Sequence, residues 1–297
     1  MQDHYQSRND GTCEIVERPD PVVWGRGSGP LEHADLEAFA RDGFLLQEDL
    51  LTPGEADDLR RELARIMKRA DPSNAEVISE PDSDEVRSVF LVHRTSEIFR
   101  RMAEDPRLVE PVRQLLGTDV YVHQSRVNLK PAAHGREFFW HSDFETWHVE
   151  DGMPRPRAVS ASVALTDNTV FNGPLMVVPG SHRSFLRCAG QTPEDHYRSS
   201  LKRQVIGTPS VEGLRSLVER HGGLRAPLGR AGTVLFFECN LMHASPGNLS
   251  PYPRTNFFLV YNSVENRPRA PYGGGSPRPE FLAERHPTTI EPPHAAP

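Results

Sequence analysis

The stretch VYVHQSRVNLK, residues 120–130, decides the fold. Its even positions include Gln124, Arg126, Asn128 and Lys130; its odd positions include Tyr121, Val127 and Leu129. A period of two sends these sets to opposite faces of a strand. The same character returns in AVSASVALT, GPLMVVPG, GTVLFFEC and TNFFLVYN, with Gly, Pro and Asn between them. Several short strands separated by turns predict a sandwich or barrel.

Before residue 119 the pattern is helical. HADLEAFARDG puts Leu36, Phe39 and Ala40 on one face. Thr52-Pro53-Gly54-Glu55 reads as an N-cap, a first-turn proline and a reciprocal glutamate, followed by the stripe Ala56, Leu59, Leu63 and Ile66. A third helix is predicted from Asp105 to Leu116, closed by Gly117. Residues 1–30, rich in Gly and Pro, read as a loosely held arm. The polar stretch 185–228 reads as an insertion carrying one or two helices. The tail from 265, with eight prolines and Gly273-Gly274-Gly275, is expected to wrap the surface or stay mobile.

The chain has 297 residues and a formal charge of -7, which argues against a nucleic-acid partner. No apolar run approaches the length of a membrane span, and the polar start lacks a signal-peptide core. Three widely spaced cysteines point to a reducing cytoplasm. The oligomeric state is not fixed by the sequence; a homodimer is compatible with it.

The chemistry gathers in FFWHSDFETWHVEDGMP, residues 138–154, which holds two histidines and four carboxylates among aromatics. In a strand, His141 and Asp143 would share a face and could grip one ion. His-x-Asp is a weak motif by itself, as His33-Ala34-Asp35 illustrates; there Asp35 reads as a first-turn acid. His243, just after GTVLFFEC, offers a third ligand. Two histidines and one carboxylate leave open positions suited to Fe(II). Arg254 opens RTNFFLVYN and suits a carboxylate, with Ser245 as a hydroxyl donor. Trp147, Phe237 and Phe258 would exclude water and favour a delocalised cation.

Together with QSRVNLKP, NGPLMVVPGSHR, CNLMHASPGN and PRTNFFLVYN, this segment resembles the ectoine-hydroxylating group of the phytanoyl-CoA dioxygenase-like Fe(II)/2-oxoglutarate oxygenases, over residues 34–264. Phe139 stands where many members carry Tyr. The resemblance implies a mainly β fold with flanking helices: a double-stranded β-helix, a jelly roll related to the cupins. It implies a dioxygenase domain (31–264) whose insertion (185–228) is lid-like; the arm (1–30) and the Pro-rich tail (265–297) rest on composition alone, and the tail matches nothing in the family. It implies iron on His141, Asp143 and His243. Asn128, Lys130, Ser245 and Arg254 would hold 2-oxoglutarate; Gln124, Trp147, Pro193, Phe237, Asn256 and Phe258 would contact ectoine. The expected reaction converts ectoine, 2-oxoglutarate and O2 to 5-hydroxyectoine, succinate and CO2. The alternatives are a hydroxylase of the same branch acting on another small molecule, such as a free amino acid, a zinc hydrolase with Glu145 or Glu150 as base, and a non-catalytic β-sandwich that binds small molecules.

Overall fold

The computed structural model describes residues 3–9, 11–81 and 83–291. Among them run strands β1 (Glu14–Glu17), β2 (Phe44–Gln47), β3 (Val77–Ser79), β4 (Val86–Phe90), β5 (Val120–Lys130), β6 (Phe138–His141), β7 (Ala158–Ala164), β8 (Met176–Val177), β9 (Ser184–Arg187), β10 (Val234–Glu238), β11 (His243–Ser245) and β12 (Arg254–Ser263). The helices are α1 (His33–Asp42), α2 (Pro53–Met67), α3 (Val92–Thr95), α4 (Glu97–Ala103), α5 (Pro106–Leu116), α6 (Asp143–Thr146), α7 (Tyr197–Ser200) and α8 (Val211–His221), with one π-helical turn at Trp147–Asp151. The major sheet has the order β2-β10-β7-β12-β5-β4-β3; the minor sheet is β6-β11-β8, and β1 pairs with β9. This is the double-stranded β-helix, with helices flanking it.

Strand parity explains which face does what. β12 pairs with β5 so that Arg254 meets Lys130, Asn256 meets Asn128 and Phe258 meets Arg126, while Phe257 meets Val127 on the opposite face. Phe257, Leu259, Tyr261 and Val127 join Phe39, Leu59, Phe99, Val112 and Leu115 in the main core, which seats the helices on the sheet. Phe99 and Phe257 meet edge to face at 4.8 Å. Burying each such side chain is worth roughly 1.5–3 kcal/mol. With this face covered, the polar face is left for the site. The predicted helices form as read: Thr52 and Glu55 close a capping box, and Gly43 and Gly117 end α1 and α5 in left-handed conformations.

One expectation needs correction and one is narrowed. The arm is pinned rather than loose in its described part. β1 is zipped to β9, Tyr5 is buried, and Arg18 is ion-paired to Glu238 at 2.9 Å. The tail is docked in its described part: Phe281, Leu282 and Ala283 are buried, and the Leu282 carbonyl accepts from Gln124 at 2.7 Å. Residues 292–297, also read as tail, lie outside the described residues. Both segments find partners far away in sequence, which local composition cannot reveal. The insertion carries α7 and α8, as expected.

Candidate active site

β6 ends at His141 and β11 begins at His243, and these two residues face each other across the antiparallel pair. Their ring centroids lie 4.3 Å apart. His141 Nδ1 is 2.6 Å from the Phe139 carbonyl and His243 Nδ1 is 2.8 Å from the Leu241 carbonyl. A carbonyl can only accept, so both Nδ1 atoms donate and both Nε2 atoms are left as ligands. Those Nε2 atoms point at Asp143, at 3.5 Å and 3.9 Å.

Asp143 does not reach this place by strand parity, as the spacing suggested. The strand stops at His141, and Ser142 caps α6, whose first residue is Asp143. The flanking residues hold it: Ser142 Oγ donates to Asn240 at 3.0 Å, and the Phe144 N–H donates to the Cys239 carbonyl at 2.8 Å. One carboxylate oxygen of Asp143 is buried with no hydrogen-bond partner among the described residues. The three ligand atoms all lie within 4.8 Å of one another. A buried, under-satisfied carboxylate facing two imidazole lone pairs is the donor set of an iron facial triad. Burial, and then neighbouring His141, push the His243 imidazole down to about 4, so it is neutral and able to ligate at pH 7. Burial works against ionising Asp143, but His243 and His141 outweigh it and hold the carboxyl well below its usual range. His33, by contrast, is exposed and pairs with Glu37, while Asp35 serves the cap of α1.

The other acids of the segment have different work. Glu145 and Glu150 both bind Arg8, and Asp151 binds Arg278 with Nε to Oδ1 at 2.9 Å. Neither glutamate is free to act as a base at the triad, which removes the hydrolase reading. His148 is structural too: it contacts the Met153 carbonyl at 2.8 Å and Asp3 at 3.0 Å, and stacks on Tyr272.

Next to the triad stands a pair of buried cations. Arg254 is buried, and its Nε and Nη1 have no partner among the described residues. Burial, then Arg87, push its guanidinium down to about 10. Lys130 donates to Ser245 Oγ at 2.6 Å and to the Pro246 carbonyl. Burial, then Arg254 and Arg87, push Lys130 down to about 6. The stem of Lys130 runs between two glycines. A Cβ on Gly135 would sit 2.3 Å from its Cγ, and one on Gly173, where φ is +71°, 2.7 Å from its Cδ. Two adjacent basic groups, with no carboxylate bonded to either among the described residues, make a receptor for an anion, which would draw a proton onto Lys130.

Gln124, Asn128, His141, Asp143 and Trp147 line one cavity of about 90 Å³. Trp147 also belongs to an apolar cluster with Tyr5, Phe144 and Met153, so the ring is both core and wall. Phe237 lies edge-on to His243 at 5.2 Å and to Phe258 at 6.5 Å. Asn256 donates to Ser162 at 3.0 Å, and its Oδ1 has no partner among the described residues. Pro193 is not on this cavity. It lines a neighbouring one of about 380 Å³, between the insertion and the tail, with Arg278 common to both. Three cations on the cavity were not assigned from sequence: Arg87, which is paired with Glu80 at 2.9 Å, Arg126 and Arg278. Arg126, bonded to Gln124 and 5.2 Å from the Phe258 ring, shares the polar parity of β5 and could have been read from it. Arg278 sits in a Pro-rich tail and carries no local signal.

The family model for phytanoyl-CoA dioxygenase (PhyH) matches residues 39–256. The chain is 51% identical over 290 residues to an ectoine dioxygenase of Sphingopyxis alaskensis, covering 96% of this chain and 94% of that one. It is similar to the crystal structure of EctD from S. alaskensis with 2-oxoglutarate and 5-hydroxyectoine, at TM-score 0.86 and 47% identity, covering 96% and 95% of the two chains. The structure of the same protein with bound Fe is similar at TM-score 0.86 and 46% identity, over 97% of each chain.

Proposed function

We infer that this chain, which belongs to the phytanoyl-CoA dioxygenase family, is an ectoine 5-hydroxylase. One observation carries the reading: a His-Asp-His cluster with converging ligand atoms stands beside a buried, carboxylate-free cation pair, in a chain about half identical to ectoine dioxygenases along nearly its whole length. Ferrous iron on His141, Asp143 and His243 supplies the oxidative chemistry that converts 2-oxoglutarate and O2 to succinate and CO2 and hydroxylates ectoine at C5.

The chain's own residues supply position and dryness. Arg254 and Lys130 neutralise the far carboxylate of 2-oxoglutarate, with Ser245 and Asn128 beside it. Trp147, Phe237 and Phe258 offer ring faces and edges to the amidinium of ectoine and keep water from the reacting carbon. Gln124 and Asn256 orient its polar edge, and Arg126 and Arg278 are the cations available to its carboxylate. Pro193 lies one cavity away, where it could touch substrate only if the insertion moves. We place the enzyme in the cytoplasm, where ferrous iron and 2-oxoglutarate are at hand; its three cysteines are unpaired. We further divide the chain into arm (1–30), catalytic unit (31–264, with 185–228 inserted) and tail (265–297). A homodimer fits this reading.

The direct test is anaerobic loading with Fe(II), then addition of ectoine, 2-oxoglutarate and O2. A product heavier by one oxygen atom is expected; succinate formation only with another small molecule would move the substrate assignment within the branch. Trp147→Leu is expected to lower hydroxyectoine formed per succinate by roughly tenfold, inside the hundredfold that a misplacement of about 1 Å can cost. Unchanged coupling would remove Trp147 from the substrate wall. Because Lys130 is held near 6 without an anion beside it, binding 2-oxoglutarate above that pH takes up a proton. The KM for 2-oxoglutarate should therefore be flat below about pH 6 and rise as pH increases, by up to about tenfold per unit. A KM independent of pH between 6 and 9 would assign the anion to Arg254 alone.

A further inference from the structure

Arg8 takes no part in the scheme above, yet its guanidinium bonds to Glu145, Thr146, Glu150 and Thr192. Its Nε and Nη2 fork onto Glu145 at 3.1 Å and 2.9 Å, and Nη1 reaches both Glu150 and, at 2.8 Å, Thr192 Oγ1. The backbone is committed as well. Arg8 sits at φ +57°, an unusual conformation for a side chain of this size, and its N–H donates to the Cys188 carbonyl at 2.8 Å.

Thr192 and Gly207 bracket the part of the insertion that roofs the cavity, where Ser200, Leu201 and Gln204 line it. Gly207, at φ +72°, packs so closely that a Cβ there would lie 2.5 Å from both Arg8 Nη2 and Glu145 Oε2. Gln204 Nε2 also reaches Thr146 Oγ1, at 3.3 Å, as does Arg8 Nη2. One guanidinium thus touches both ends of the roof and the two acids that flank Trp147. The cavity beneath, about 90 Å³, is smaller than the roughly 300–1,000 Å³ of ordinary small-molecule sites, so the roof must give way as ligands arrive.

We propose that Arg8 is a positioning residue that clamps both ends of the roof segment 192–207 onto the ligand-bearing motif, and so sets where the roof returns over the substrate. This rests on reading the cavity as the ectoine site. The test pairs kinetics with limited trypsin digestion of the full chain, because Lys202 and Arg203 are exposed within the roof. Arg8→Met is expected to raise the KM for ectoine about tenfold and leave that for 2-oxoglutarate within about twofold. Cleavage at Lys202 and Arg203 is expected to speed up about tenfold, because local opening becomes easier. Arg8→Lys should fall between, since one ammonium cannot span two carboxylates and Thr192. If Arg8→Met does not fold, Thr192→Val removes only the contact to the insertion and should move the same quantities about threefold. Cleavage at the wild-type rate, or both KM values rising together, overturns the proposal. A wild-type chain that does not hydroxylate ectoine refutes the substrate reading instead, and the cleavage rates still decide the role of Arg8.

Discussion

Asp143→Ala abolishes hydroxylation and lowers the melting temperature by no more than a few degrees. Loss of residues that merely orient a metal's ligands costs about 10–100-fold in affinity or activity, so loss of a ligand should exceed that. The stability half follows from opposed effects at the carboxylate. Burial disfavours its charge and one oxygen has no hydrogen-bond partner among the described residues, but His243 and His141 offset that cost, so removing the whole group changes stability little. Ser142 and Phe144 keep the local backbone in place through Asn240 and Cys239. Thermal unfolding of the metal-free variant, with hydroxyectoine measured under iron supply, checks both halves. Normal turnover would refute the metal assignment, and a large fall in melting temperature would mean the acid is a structural element.

Arg254→Met raises the 2-oxoglutarate requirement by roughly 30-fold to a few thousandfold. Losing one member of a buried charge pair costs about 2–5 kcal/mol, and each 1.4 kcal/mol is tenfold. Lys130 remains, but as a point charge held to Ser245 and the Pro246 carbonyl it cannot replace a guanidinium fork. The variant should also gain stability, on the order of 1 kcal/mol, by removing a buried cation whose Nε and Nη1 have no partner among the described residues. Titrating 2-oxoglutarate at saturating ectoine, and the reverse, separates the subsites. A shift confined to ectoine would mean that the two are reversed.

The legible part of this protein is what depends on neighbours in sequence. Alternation exposed β5, β7, β10 and β12, and with them the shared face of Gln124, Asn128, Lys130, Arg254 and Asn256. Caps exposed α2 and α5. The triad could be read because His141, Asp143 and His243 fall in segments dense with other polar signals, although the turn that aims Asp143 was misread as strand. What stayed hidden is long-range. Nothing around Arg8 names Glu145, and nothing around Arg278 names Asp151; these partners are 137 and 127 residues apart. The same holds for β2, β3 and β4, short strands defined by the sheet they join.

The docking of the tail has a consequence for how the molecule is made. The proposed iron ligands, anion receptor and aromatic wall are all translated by residue 258, but Arg278, which lines the cavity, and Leu282, whose carbonyl accepts from Gln124, leave the ribosome after them. A chain terminated shortly after Ser263 would carry a fully equipped metal centre open to solvent on one side. Messages with late stop codons would then yield polypeptides that consume 2-oxoglutarate without making osmolyte.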